Sequence, residues 1–176
     1  ANELRIVTGN ADVGAAFSTL AFDHLIFTGC TNVGKHVMRA AAENLVPVTL
    51  KLGGKSPVVL TEHFDIKTAV ERVLTVKTFN AGQICISPDY VMMPEVFNTA
   101  FIEHAQSFIQ DIYGARFFAN DDFTSIISDK HFARLQHLLE DAKAKGATLV
   151  ALGQESKISD QTTRKIVPML VFGVTD

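Results

Sequence analysis

The chain has 176 residues, enough for one domain with a real core or for parts of two. It is 47% hydrophobic and 20% charged, a globular composition, and a formal net charge of -3 gives no electrostatic case for nucleic acid or an anionic membrane surface. No run of about eighteen apolar residues occurs, so no helical membrane span is expected. In chain order, residues 4–7 are a short strand candidate ended by Thr8-Gly9-Asn10. Asp12 is placed to cap a helix over 12–20. Residues 24–28 give a stronger strand, stopped by Gly29, and a helix follows over 35–44. Residues 46–52 are strand-like and are broken by Gly53-Gly54, and 56–60 give another short apolar strand. Strand and helix alternating at such short intervals favour a parallel sheet covered by helices. The expected fold class is therefore α/β, mainly parallel sheet flanked by helices.

A helix over 65–79 carries Ile66, Ala69, Val70, Val73, Leu74 and Val76 at helical spacing. Asn80-Ala81-Gly82-Gln83 is a polar break ahead of Ile84-Cys85-Ile86 and Pro88-Asp89. Residues 90–93 read as a strand, and Pro94 opens a helix that runs to Tyr113. Ser128 can cap a helix through Lys145, with Gly146 as its stop. Residues 148–152 and 166–171 close the chain as strands, and the polar stretch 153–164 between them reads as a surface loop or hairpin tip. A domain boundary is expected near Leu52 to Gly54, with 1–52 the end of one unit and 53–176 an α/β layer of its own.

The first five residues lack the basic-then-apolar pattern of a secretory leader. There is no initiator Met and the chain stops at Gly173-Val174-Thr175-Asp176, so both ends read as cuts through a longer protein. Cys30 and Cys85 are too few for a disulfide scaffold, and a reducing, cytoplasmic setting is expected. The six histidines include no pair with metal-ligand spacing, and no metal is expected; His36 and His104 fall on helices as exposed surface.

Two segments bear on chemistry. Phe27-Thr28-Gly29-Cys30-Thr31-Asn32-Val33-Gly34-Lys35 is a strand, a glycine turn and a helix start. Backbone N–H groups at such a start can face an anion. The spacing matches neither the dinucleotide fingerprint nor a phosphate loop, so by itself it reads as an ordinary β-α turn. Cys85 lies in Asn80-Ala81-Gly82-Gln83-Ile84-Cys85-Ile86. A thiolate suits aldehyde chemistry, although a lone cysteine is more often a small buried apolar residue. Cys30 follows a turn glycine with no base nearby in sequence.

Three segments together resemble the aldehyde dehydrogenase superfamily: the Phe27 to Lys35 run, Leu50-Lys51-Leu52-Gly53-Gly54-Lys55-Ser56-Pro57, and Asn80-Ala81-Gly82-Gln83-Ile84-Cys85-Ile86-Ser87-Pro88-Asp89-Tyr90. The Gln-x-Cys-x-x-Pro-Asp-Tyr form is similar to the class 3 branch, and residues 39–50 look most like the coniferyl aldehyde dehydrogenases. The resemblance covers nearly the whole chain. It implies residues 1–52 as the C-terminal part of an NAD(P)-binding domain and 53–176 as most of a catalytic domain. It also implies oxidation of an aldehyde, aromatic or long-chain, to a carboxylic acid, with NAD or NADP as cofactor. Cys85 falls on the family's nucleophile, its own N–H helping to hold the oxyanion. Gly29, Cys30, Thr31 and Gly34 fall on the turn against the cofactor pyrophosphate, with Cys30 where serine is usual. Leu52 and Gly53 are further cofactor-side positions.

Lys51 falls where the family has its general-base glutamate. A protonated amine cannot take a proton from water. As a cation beside Cys85 it would favour the thiolate without activating water, so slow acyl-enzyme release is expected. If Lys51 instead merely ends a strand, it points to solvent. Two alternatives follow: a catalytically impaired, non-enzymatic relative, and a coenzyme A-acylating relative, against which the Gly-Gly-Lys-Ser-Pro and Pro-Asp-Tyr segments speak. The resemblance places the adenosine-ribose strand, an oxyanion-hole asparagine and a nicotinamide-ribose glutamate outside these residues. The piece alone is expected neither to bind NAD(P) tightly nor to turn over aldehyde. Exposed strand edges around Phe27 lead to an expectation of homo-oligomers.

Overall fold

The computed structural model describes residues 3–174, and the chain divides into two compact units, residues 1–54 and 55–176. In the first unit, residues 4–10 have no regular structure, and Leu4 and Ile6 are each 83% exposed. The strand expected over 4–7 does not form: no described strand pairs with it, and an unpaired strand leaves its backbone groups without a ladder. Helix α1, Ala11–Ser18, is capped at Asn10, whose carbonyl accepts from the N–H groups of Val13 and Gly14. Asp12, expected as the cap, sits instead in the first turn, where its charge still favours the helix dipole.

Strand β1, Leu25–Thr28, helix α2, Thr31–Ala42, and strand β2, Val48–Lys51, form a β-α-β unit with the strands parallel and in register from Leu25 with Val48 to Thr28 with Lys51. Helix α2 starts four residues earlier than expected, directly after Cys30. Its buried positions Gly34, Val37 and Ala41 recur at helical spacing. Val37 and Ala41 form a small core with Leu25 and Val46, against which Phe22, Phe27 and Val48 pack. The opposite face of β1 and β2 carries Ile26, Thr28, Thr49 and Lys51, all exposed.

The second unit begins with a parallel pair, β3, Ser56–Val59, and β4, Pro88–Met92, joined by helix α3, Ile66–Thr78. Asp65 caps α3 by accepting the Thr68 N–H at 2.7 Å, and the bonds from Thr68 hold its carboxyl below the usual carboxylate range. The α-helix expected to open at Pro94 does so through a 3-10 turn, Glu95–Phe97, before α4, Asn98–Tyr113. Phe101, Ala105 and Ile109 recur every fourth residue on α4. They enter the main core with Val70, Leu74, Phe117, Phe123, Leu152 and Val167. Helix α5, Asp129–Ala144, is capped by the Ser128 hydroxyl, which accepts from the His131 N–H at 3.3 Å.

Strand β5, Thr148–Ala151, pairs antiparallel with β8, Met169–Phe172, and the hairpin β6, Ser159–Asp160, and β7, Lys165–Ile166, lies between them in sequence. The single strand expected over 166–171 is split between β7 and β8, and Pro168, which has no N–H to give a ladder, lies in the break. The fold is α/β, with parallel pairing in both β-α-β segments and antiparallel pairing at the C-terminal end. Among the described residues no helix is long and apolar enough to cross a membrane, and no cluster of His, Cys, Asp and Glu could hold a metal ion.

Candidate active site

Cys85 lies in the second unit on the turn between α3 and β4, and it is exposed. The Ser87 N–H donates to the Ile84 carbonyl at 3.1 Å, so Cys85 and Ile86 occupy the corners of a tight turn that feeds directly into Pro88. Exposure departs from the commoner fate of a lone cysteine, burial as a small apolar residue. Ser87 beneath it is 6% exposed, and its hydroxyl has no hydrogen-bond partner among the described residues.

The approach to this turn is unusual backbone. Asn80, Ala81 and Gly82 follow one another with φ of 50°, 54° and 74°. Asparagine and glycine tolerate the left-handed region, but an alanine there is strained by about 1–2 kcal/mol. Crowding adds to the constraint, because a Cβ at Gly82 would lie 3.1 Å from the Lys77 carbonyl oxygen, at a φ that already favours glycine. Gln83 closes the turn: its N–H donates to the Asn80 carbonyl at 3.1 Å, and the Asn80 amide donates back to the Gln83 carbonyl at 3.2 Å. The Gln83 side chain then reaches out of the turn, accepting from the Ile127 N–H at 2.9 Å and donating to the Ser125 carbonyl at 3.1 Å.

Charge collects at the same end of α3. Lys55 pairs with Asp89 at 2.8 Å, and both face solvent to different degrees, 80% and 33% exposed. Burial pushes the half-buried Lys77 ammonium below the usual lysine range; the Asp89 carboxylate opposes this and the like charge of Lys55 adds to it. A cleft of about 340 Å³ flanks the turn, lined by Thr78, Phe79, Asn80, Ile84, Tyr113, Asp122 and Thr124. Its inner wall is fixed by Tyr113, whose hydroxyl donates to Thr78 Oγ1 at 3.0 Å.

The remaining expected site residues lie in the first unit. Gly29, Cys30, Thr31 and Gly34 are gathered at the β1–α2 turn. Cys30 takes the N-cap position with no side-chain hydrogen bond, and Thr31, Asn32 and Val33 are exposed. An uncapped, exposed helix start presents N–H donors of the kind that bind phosphate, so these residues fit a dinucleotide pyrophosphate. The two glycines also have packing reasons. A Cβ at Gly29 would meet the Phe27 ring at 2.5 Å, and one at Gly34 would meet Leu52 Cδ2 at 2.9 Å. Leu52 is thus tied to the turn, whereas a Cβ at Gly53 would meet open space. Lys51 ends β2 with its side chain exposed, and its carbonyl accepts the Gly29 N–H at 3.1 Å. His36 is exposed as expected; His104 is half-buried instead, on α4 next to the buried Ala105.

The Aldehyde dehydrogenase family model matches residues 1–176, the whole chain. The chain belongs to the aldehyde dehydrogenase family. It is 51% identical to the coniferyl aldehyde dehydrogenase of Pseudomonas sp. (strain HR199 / DSM 7063) over 99% of this chain and 36% of that protein. The chain therefore spans just over one third of the length of that relative. Among solved structures, the substrate-bound Staphylococcus aureus AldH superposes with a TM-score of 0.82 at 38% identity, over 96% of this chain and 35% of that one. The NAD+ complex of an aldehyde dehydrogenase from Bacillus cereus superposes with a TM-score of 0.76 at 25% identity, over 92% and 33%. In the sequence Gln83 belongs to a polar break and to the Gln-x-Cys-x-x-Pro-Asp-Tyr form, with no role of its own; its reach to residues 125–127 carries no local signal, because the partners are more than forty positions away.

Proposed function

We propose that the complete protein carrying this chain oxidises an aldehyde to a carboxylic acid, with Cys85 as nucleophile. The exposed position of Cys85 on a turn backed by strained, cross-linked backbone carries this reading. The thiolate adds to the carbonyl carbon to give a thiohemiacetal, with the Cys85 N–H among the donors to the oxyanion. Loss of hydride from that carbon leaves a thioester, and water releases the acid and restores the thiol. A nicotinamide dinucleotide, NAD or NADP, supplies the hydride acceptor when bound. Gly29, Cys30, Thr31 and Gly34 would hold its pyrophosphate at the start of α2, with Leu52 and Gly53 alongside. In this reading residues 1–52 close the cofactor-binding domain and 53–176 form most of the catalytic domain.

An aromatic or long-chain aldehyde is the proposed substrate. The 51% identity to a coniferyl aldehyde dehydrogenase supports it, as do Phe79, Ile84 and Tyr113 in the cleft beside the turn. A cytoplasmic setting would keep the thiol reduced. The exposed edge and outer face of the β1–β2 pair, where Ile26 is 74% exposed, support assembly into homo-oligomers. A clean monomer by light scattering would contradict that assembly.

Lys51 favours a weakened variant of the reaction. At the family's base position an ammonium cannot take the proton of the hydrolytic water. Rapid mixing of the complete protein with coniferyl aldehyde and either NAD+ or NADP+ tests this. The reading predicts a burst of reduced cofactor equal to the enzyme, then a slow steady state. It predicts that Lys51→Glu leaves the burst unchanged and raises the steady rate by about 10²-fold or more. Equal steady rates would remove the base-position role of Lys51. No reduced cofactor from either protein would favour a non-catalytic relative, and acyl-coenzyme A as product when coenzyme A is supplied would favour acyl transfer.

A further inference from the structure

We propose that Gln83 is the positioning residue for Cys85, its side-chain amide serving as a surrogate strand that fastens the nucleophile turn to residues 125–127. The proposal rests on the reading of Cys85 as nucleophile. One carboxamide makes three bonds here: Oε1 accepts from the Ile127 N–H at 2.9 Å, and Nε2 donates to the Ser125 carbonyl at 3.1 Å and to the Asn80 carbonyl at 3.0 Å. Both hydrogens and the oxygen of the amide are therefore engaged.

The choice of partners is specific. In extended backbone, successive residues turn their N–H and C=O groups to opposite edges. Ile126, buried at 4% exposure, gives both of its backbone groups to Arg164: its N–H donates to the Arg164 carbonyl at 2.9 Å, and its carbonyl accepts from Arg164 Nε at 3.0 Å. The Ser125 carbonyl and the Ile127 N–H go instead to Gln83. Residues 125–127 are thus held between Arg164 on one side and an amide side chain on the other. Arg164 lies on the β6–β7 hairpin, so the nucleophile turn is coupled to that hairpin through two sets of hydrogen bonds to the backbone of residues 125–127, those of the Gln83 amide and those of Arg164.

The strain of the turn explains why such a clamp is needed. Three consecutive left-handed residues, one of them Ala81, relax toward ordinary backbone unless surrounding bonds over-determine them. Cys85 is two residues beyond the clamp. A relaxation of the turn by about 1 Å would move the sulfur out of line with a bound carbonyl carbon, a displacement that costs on the order of 10²-fold in rate.

Hydrolysis of p-nitrophenyl acetate by the complete protein is the test, with alkylation by iodoacetamide as the companion measurement. Gln83→Met keeps the length and removes all three bonds. It is expected to lower kcat by about 10²-fold with KM within about threefold, while the alkylation plateau at high pH, which needs only an accessible thiolate, stays within about threefold. Gln83→Glu gives a pH signature that a general packing defect would not. Its carboxylate opposes the Ser125 and Asn80 carbonyls, but its neutral carboxyl can donate to Ser125 and still accept from Ile127. The kcat of Gln83→Glu relative to wild type is therefore expected to rise as pH falls through the carboxyl range, and this ratio also serves if Gln83→Met fails to fold. Unchanged kcat in Gln83→Met, or a Gln83→Glu ratio flat with pH, beside an inactive Cys85→Ala would overturn the positioning role alone. Full activity in Cys85→Ala would overturn the nucleophile reading beneath it.

Discussion

Leu45 and Gly146 hold the same place in the same helix-ending motif. After α5, the Ala147 N–H donates to the Ala142 carbonyl and the Gly146 N–H to the Lys143 carbonyl, with Gly146 at φ 90°. After α2, the Val46 N–H donates to the Ala41 carbonyl and the Leu45 N–H to the Ala42 carbonyl, with Leu45 at φ 55°. Both are Schellman endings, which place a left-handed residue just past the helix. Glycine takes that conformation without strain and leucine does not. Leu45 gains nothing in return from packing, since it is 90% exposed. Leu45→Gly is therefore expected to stabilise the protein by about 0.5–1 kcal/mol, the relief of strain exceeding the added chain entropy of glycine. A rise in Tm checks it; a fall would show that the Leu45 side chain is held by something it does not touch here.

Lys165 is a buried cation that fastens a turn. It is 6% exposed, and its ammonium donates to the Phe118 carbonyl at 3.2 Å and the Asn120 carbonyl at 2.5 Å. These carbonyls belong to the stretch that carries Phe117 into the aromatic cluster, where its ring centroid lies 4.3 Å from that of Phe123. Lys165→Met keeps the apolar stem and leaves both carbonyls without their donor. The expected loss is about 2–3 kcal/mol, typical of charge-assisted bonds to buried groups. Urea denaturation measures it, and an unchanged midpoint would contradict the pinning role.

Lys77 makes stability depend on alkaline pH. Because burial holds its ammonium below the ordinary value of 10.5, the unfolded chain binds this proton more tightly than the folded one. Stability contributed by Lys77 therefore rises with pH between its folded pKa and 10.5. Below that window the folded protein carries the cost of a desolvated charge. Lys77→Met removes both effects. The stability of wild type relative to Lys77→Met is expected to climb as pH is raised through the window, read from paired thermal melts. A pH-independent difference would show that the ammonium is solvated.

Much of the fold is legible from local chemistry. Ser128 and Gly146 mark the ends of α5 because caps act over three or four residues, and the apolar spacing of 65–79 marks α3 for the same reason. What fails to read through depends on distant partners. Residues 4–7 have strand composition but no described neighbour to pair with, and Pro168 marks where an otherwise continuous apolar run gives way to two strands. The cysteine turn is legible only as a motif. Its three left-handed residues are closed by bonds between Asn80 and Gln83, but the reach of Gln83 to residues beyond position 120 is long-range and no local pattern encodes it. The burial of Lys165 likewise carries no local signal, because Phe118 and Asn120, whose carbonyls its ammonium bonds, lie more than forty positions earlier.

The central claim is that the sulfur of Cys85 forms a bond to a carbonyl carbon. Brief exposure of the complete protein to p-nitrophenyl acetate, acid quench and peptide mass mapping reads that bond directly. The account predicts one acetyl group on the peptide containing Cys85, none on that containing Cys30, and loss of both adduct and ester hydrolysis in Cys85→Ala. Hydrolysis that persists in Cys85→Ala, with Cys85 unmodified in the wild-type protein, would contradict it.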